Sequence, residues 1–269
     1  MFEPGASDLQ RASPPPEGPI LRAGGISMVF ASPAGGLGAL DDVSLDVQQG
    51  EFVCVVGPSG CGKSTLLRVL SGLLFPTAGQ VYLRGRPLQG PCNDIGIVFQ
   101  KANLMPWRTV LQNITLPLEI QGVKGDEARH RAGELIHLVG LAGFERNYPR
   151  QLSGGMAQRV AIARSLIHDP EILLLDEPFG SLDALTRERM NLELLRIWQA
   201  RQKTVVMVTH NIQEAILLAD WVLVMTVRPG RVTARLPVAL PRPRSQELIY
   251  SGGFIELARR IRAAIGWQE

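Results

Sequence analysis

Phe52-Val53-Cys54-Val55-Val56-Gly57-Pro58-Ser59-Gly60-Cys61-Gly62-Lys63-Ser64-Thr65 settles how this 269-residue chain is built. Five apolar residues in succession read as a strand buried on both faces, feeding a glycine loop. From Ser64 onward, Leu66, Leu67, Leu70 and Leu74 keep helical spacing as far as Leu74. Strand, glycine loop and helix form the setting in which Gly-x-x-x-x-Gly-Lys-Ser binds phosphate. The glycines let consecutive N–H groups converge, and the helix adds its positive N-terminal end. Every position from Gly57 to Thr65 is therefore a candidate nucleotide contact. Lys63 would bridge the β- and γ-phosphates as a point charge, and Ser64 would offer its hydroxyl to Mg²⁺. A plain tight turn before a helix is the alternative, and the flanking strand and helix argue against it.

Outward from the loop, residues 20 to 56 are β-rich, with strands expected at Gly24 to Phe30 and Val43 to Val47 and a turn at Gly35-Gly36. Further strands are expected at Gln80 to Leu83 and Ile95 to Phe99. From Val110 to Ile167 the pattern is helical and polar, an insertion between sheet strands. Strands then return at Ile172 to Leu175, Thr204 to Val208 and Trp221 to Thr226. Helices intervene at Leu185 to Ala200 and Ile212 to Ala219, and Gln246 to Gly266 forms a closing helix. Strands alternating with helices predict a largely parallel α/β sheet.

Four polar residues stand at the ends of these strands. Asp176 follows the apolar run Ile172-Leu173-Leu174-Leu175 and is suited to hold Mg²⁺; Glu177 is the better candidate to polarise an attacking water. Gln100 could reach both metal and water. His210 could contact the γ-phosphate, although a lone strand-end histidine is more often structural. Between them lies Leu152-Ser153-Gly154-Gly155-Met156-Ala157-Gln158-Arg159, which a simple phosphate-binding enzyme has no reason to carry.

Composition constrains the rest. The net charge of +3 is too weak to argue for nucleic acid. The late arginines (Arg228, Arg231, Arg235, Arg242, Arg244, Arg259, Arg260, Arg262) read as a solvated face, with anionic lipid the sharper option. Three cysteines give neither a disulfide framework nor a metal spacing. Cys54 is a core residue by its strand, and Cys61 is no nucleophile. Met1 to Gly18 has no apolar core of a signal peptide and is expected to be a disordered tail. No apolar run approaches the roughly 20 residues that span a bilayer.

Taken in order, Gly57 to Thr65, Gln100, Leu152 to Met156, Ile172 to Glu177, Ser181-Leu182-Asp183 and His210 resemble the nucleotide-binding subunit of an ATP-binding cassette (ABC) transporter. The resemblance covers roughly residues 20 to 240. It implies an α/β fold of the P-loop NTPase kind: a RecA-like core, an antiparallel β subdomain and an inserted α-helical subdomain at about 103–167. The expected organisation is a tail over 1–19, the cassette over 20–244 and a C-terminal helix over 245–269. The resemblance further implies a head-to-tail dimer of two copies with ATP between them. Ser153, Gly154 and Gly155 of one copy would complete the γ-phosphate cage of the other, and Asp183 would lie at the seam. Phe30 matches the aromatic that stacks on adenine. Met156 departs from the glutamine frequent at that position, with the cage expected to survive.

Residues 100–114, Pro178 to Arg187 and Val224 to Arg231 resemble importers of nitrate, alkanesulfonates, taurine, bicarbonate or pyrimidine precursors, though Thr226-Val227 departs from the usual Ser-Pro. That group implies integral membrane permease subunits, an extracytoplasmic solute-binding protein and a place on the cytoplasmic face of the bacterial inner membrane, with no nucleic acid. Leu104, Met105 and Trp107 would either anchor their loop in the core or line the groove for a permease helix. A soluble cassette ATPase of DNA, ribosome or cofactor-assembly work stands as the other reading. The long coiled-coil insertions, zinc cysteines or second cassette of such relatives are not found here. A small-molecule kinase would leave Leu-Ser-Gly-Gly unexplained.

Overall fold

The computed structural model describes residues 18–31, 36–123 and 125–266, so the expected tail, apart from its last two residues, and Gly35 of the expected turn lie outside the described residues. The centre is the strand β3 (Phe52–Val56), buried along its whole length. It pairs in parallel with β8 (Thr204–Thr209) on one side and β9 (Trp221–Met225) on the other. The sheet continues through β7 (Ile172–Asp176) to β6 (Ile95–Val98), all parallel, and ends in β10 (Val232–Pro237), antiparallel to β9.

Alternation along β3 divides two cores. Phe52, Cys54 and Val56 join the cluster beneath the helices α2 (Val110–Ile120), α3 (Asp126–Leu138), α4 (Gly154–Leu166), α5 (Ala184–Arg201), α6 (Ile212–Leu218) and α7 (Gly252–Ile265). Val53 and Val55 face Leu66, Leu67 and Leu70 of α1 (Lys63–Leu70) and a second, antiparallel sheet. That sheet runs in the order β2 (Leu37–Val47), β1 (Leu21–Phe30), β4 (Ala78–Leu83), β5 (Arg86–Pro87). Apolar surface on both faces of one strand is what a central parallel strand requires.

The antiparallel sheet, the parallel core and the helical insert between β6 and β7 match the expected class. Boundaries differ for physical reasons. The helix after the phosphate loop stops at Leu70 rather than Leu74, because Gly72 turns to φ 73° and Leu73 and Leu74 fold back onto the Arg68 carbonyl. β1 and β2 are longer than expected. Register shifts between Ala23 and Met28 break their alternation, and Asp42 takes φ 50° in mid-strand. β5 and β10 were not anticipated. The closing helix is split: Gln246–Tyr250 forms a 3₁₀ turn, and Ser251, in extended backbone, caps α7 by accepting from Phe254 N–H at 3.3 Å.

The largest correction concerns the arginines. Arg244 is buried, and its guanidinium donates to the carbonyls of Ile216 (3.0 Å), Leu217 (3.3 Å), Ala219 (2.6 Å), Val238 (3.1 Å) and Leu240 (3.3 Å). A cation there satisfies the open C-terminal carbonyls of α6 and favours the helix dipole. Burial lowers its pKa to about 10, which leaves it charged at neutral pH. Arg242 pairs with Asp220 at 2.7 Å and lies 4.2 Å over Trp198; Arg235 stacks 4.2 Å over Trp221. Arg228, Arg231 and Arg235, with the α7 members Arg259, Arg260 and Arg262, keep the expected exposed position.

Arg244→Met should therefore lower unfolding stability by about 3 kcal/mol, because buried carbonyls lose their only charged donor. Arg235→Ala, at a more exposed site, should cost under about 1 kcal/mol. Urea midpoints decide it: equal losses in the two variants would contradict the structural role of Arg244.

Candidate active site at the strand ends

Parallel pairing brings the C-terminal ends of β3, β6, β7 and β8 to one edge. In such sheets that edge is the ligand crevice. The phosphate loop leaves β3 there, and its shape needs its glycines. Gly60 and Gly62 have φ 78° and 105°. A Cβ on Gly62 would sit 2.6 Å from the Ala39 carbonyl oxygen of β2, and one on Gly57 would sit 2.8 Å from the Met225 carbonyl oxygen. The buried Lys63 donates to the carbonyls of Gly57 (2.9 Å) and Pro58 (3.0 Å), so its ammonium rests at the mouth of the loop. Ser59 and Gly60 form the exposed tip, and Thr65 lies in the first turn of α1, after Lys63 and Ser64. Cys61 is buried, and burial pushes its thiol pKa up, which suits a packing residue.

The acids meet the loop directly. Ser64 Oγ donates to Asp176 Oδ1 at 2.7 Å. Burial pushes the Asp176 pKa up, the Ser64 bond opposes this, and the neighbouring Glu177 charge adds to the rise. Glu177 takes φ 42°, a left-handed backbone uncommon for a glutamate, and its N–H is tied to the Val208 carbonyl at 3.0 Å. Its carboxylate lies 3.7 Å from Lys63 Nζ and 3.0 Å from His210 Nδ1. A Cβ built on Gly180 would be 3.3 Å from Gln100 Nε2 and 3.4 Å from Glu177 Oε2, so Gln100 and Glu177 flank the same glycine. The structure thus gathers Lys63, Ser64, Gln100, Asp176, Glu177 and His210 around one crevice.

Ser153, Gly154 and Gly155 are elsewhere. Ser153 caps α4, accepting from Met156 N–H at 3.3 Å. The two glycines lie against the turn into α5: their would-be Cβ atoms fall 3.3 Å from Leu182 and 3.1 Å from Thr186. Asp183 caps α5 in that turn through Thr186 N–H (3.0 Å), a bond that lowers its pKa. Among the described residues no hydrogen bond joins this group to residues 57–65. Phe30 ends β1, partly exposed.

Residues that sequence reasoning missed hold the backbone on both sides of Gln100. Gln158 donates to the Phe99 carbonyl at 3.1 Å, and Arg164 to those of Ala102 (2.7 Å) and Asn103 (2.9 Å). Buried Asn113 accepts from Met105 N–H (2.7 Å) and donates to Met105, Arg108 and Thr109 carbonyls. Each is a polar helix residue with no local signal. Leu104 packs against the core, while Trp107 is 71% exposed.

Residues 40–180 match the family model described as ABC transporter. The chain belongs to the ABC transporter family. The cassette is 51% identical over 211 residues to a taurine import ATP-binding protein of Burkholderia pseudomallei, covering 78% of this chain and 81% of that one. It is 47% identical over 227 residues to a nitrate import ATP-binding protein of Synechococcus elongatus, covering 83% of each. Among solved structures it resembles the dimeric post-hydrolysis state of the ATP-binding cassette MJ0796 bound to ADP and Pi, with TM-score 0.72 and 35% identity over 82% of this chain and all of that one. Like its family, the cassette binds and hydrolyses ATP.

The buried charge of Asp176 opposes folding. Its folded pKa is raised, so it costs stability as pH rises from the ordinary carboxylate range through that raised value. Asp176→Asn should therefore raise the nucleotide-free melting temperature at pH 7 and abolish ATP hydrolysis. A lower melting temperature would mean that the carboxylate is structurally required.

Proposed function

We propose that this cassette energises uptake of a small anionic or polar solute, of the sulfonate, taurine or nitrate type, through partner membrane subunits. That it is the ATP-binding subunit of an ABC importer follows from its family and from the import proteins it matches; the cargo, the partners and the residue roles are the proposal. The observation that carries the chemistry is the crevice in which Lys63, Ser64–Asp176 and Glu177–His210 converge.

The residues present fit both phosphate and metal. Lys63 rests on two carbonyls, and its nearest acid, Glu177, is 3.7 Å away, leaving its charge available to phosphate oxygens. A hydroxyl and a carboxylate in contact are hard oxygen donors of the kind Mg²⁺ prefers, and it would take its other ligands from phosphate and water. Ser64, Asp176 and Gln100 would hold Mg²⁺, whose chemistry there would be to neutralise phosphate charge. The loop N–H groups and Lys63 hold the phosphates in place. Glu177 orients water for attack on the γ-phosphorus and takes its proton at a carboxylate oxygen as the bond to the β–γ bridging oxygen breaks. His210 fixes that carboxylate through Nδ1 and would contact the γ-phosphate. Phe30 stacks on adenine.

Ser153, Gly154 and Gly155, with the N-terminal end of α4, sit apart from their own loop and suit the phosphate of a second copy's nucleotide. Their packing on the Asp183 turn gives a path between the two sites of a head-to-tail dimer. No helix among the described residues is long and apolar enough to cross a membrane. Exposed Trp107, on a loop held by Asn113 and Arg164, would receive the permease. With that docking, the chain would work at the cytoplasmic face of the bacterial inner membrane.

Glu177→Gln should keep ATP affinity and cut hydrolysis by about 100-fold or more, trapping an ATP-bound dimer visible by light scattering; near-normal turnover would refute the role of Glu177. Lys63→Ala should weaken ATP binding itself by about tenfold or more. Affinity capture from native membranes should recover a polytopic permease and a solute-binding protein. Recovery with ribosomes or nucleic acid would overturn the transporter reading.

A further inference from the structure

The turn Thr226–Arg231 between β9 and β10 is far from the phosphate loop in sequence and against it in space. It is closed by Thr226 N–H to the Arg231 carbonyl (3.0 Å) and Arg231 N–H to Thr226 Oγ1 (3.1 Å). From this closed frame four contacts reach outward. Gly230 N–H donates to the Ala39 carbonyl and the Gly230 carbonyl accepts from Asp41 N–H, both at 3.0 Å, which stitches the turn to β2. Arg231 pairs with Asp41 on the same strand. Arg228 Nε donates to the carbonyl of Gly60 at 3.0 Å, at the tip of the phosphate loop.

Close packing joins these bonds. A Cβ on Gly230 would overlap the Cys61 carbonyl oxygen, and one on Gly57 would meet Met225. The loop's outer wall is therefore in contact with the end of β9 and the turn that follows, while Gly62 rests on β2. A phosphate-binding loop works by aiming N–H groups inward, so its carbonyls must point elsewhere and find donors. Lys63 takes the carbonyls of Gly57 and Pro58 in this state. Once Lys63 turns to phosphate, Arg228 still holds the carbonyl of Gly60.

We propose that the turn is a brace for the phosphate loop and that Arg228 is a positioning residue for ATP. It fixes the Gly60 peptide so that the neighbouring N–H groups stay aimed at the phosphates. Because the donor sits on the loop's outer side, its effect falls on nucleotide affinity rather than on the bond-breaking step. The brace rests on the ATP-site reading given above.

The test uses the full chain, with ATP affinity measured by calorimetry and hydrolysis by phosphate release. Arg228→Ala should raise the Kd for ATP about tenfold, the usual loss for one charge-assisted hydrogen bond. Turnover at saturating ATP should stay within about threefold, and the nucleotide-free melting temperature should hold, since Arg228 is exposed. Arg228→Lys keeps a donor and should recover most of the affinity. Arg260→Ala, which removes the same charge from the exposed face of α7, should leave the Kd unchanged. A Kd within about threefold of wild type in Arg228→Ala, no recovery with lysine, or an equal rise in Arg260→Ala would each overturn the brace. If the wild-type chain binds no ATP, the site reading itself fails and takes the brace with it; wild-type binding with an unaffected Arg228→Ala sinks the brace alone.

Discussion

The parallel pairing of β3 between β8 and β9 is the constraint on which the site depends. Val56 lies opposite Thr209 and Val224, so Gly57 and His210 begin at the same level of the sheet. The register of β7 on β8, Asp176 opposite Val208, then sets Asp176 beside Ser64 and Glu177 beside His210. A one-residue slip would turn every side chain to the other face and exchange the two cores. Burial on both faces makes that slip costly, so the hydrophobic effect fixes catalytic geometry to within hydrogen-bond distances.

Around this edge the chain places its strain and its buried charge. Glu177 takes a left-handed backbone, Asp176 is a buried acid with a raised pKa, and Lys63 is a buried cation held by carbonyls. Each departs from what folding alone favours, and each lies where phosphate and metal chemistry would use it. Arg244 is the opposite case, a buried charge whose work is to join the end of α6 to the segment that leads to α7.

Two connections tie the site to the rest of the molecule. The start of α4 packs on the Asp183 turn, and the same helix, through Gln158 and Arg164, grips the backbone on both sides of Gln100. One rigid element therefore touches both the segment suited to a second copy and the loop that exposes Trp107. A rotation of α4 would move both together, which is the mechanical link an ATP-driven transporter needs.

The sequence by itself determined the local chemistry: a strand, a glycine loop and a helix at residues 52–70, two acids ending an apolar run, and a cassette signature between them. These were legible because each depends on neighbours along the chain, such as the φ values that only glycine takes freely or the alternation of a buried strand. Tertiary structure alone decided the donors that hold the loops. Asn113, Gln158, Arg164 and Arg228 look like ordinary surface polar residues in sequence, and Arg244 like one of a solvated run. What assigns Gln158, Arg164 and Arg228 their task is a carbonyl brought to each from 59 to 168 positions away. Bulged strands such as β1 and β2 were misjudged for the same reason, since their extent depends on partners across the sheet rather than on a regular local period.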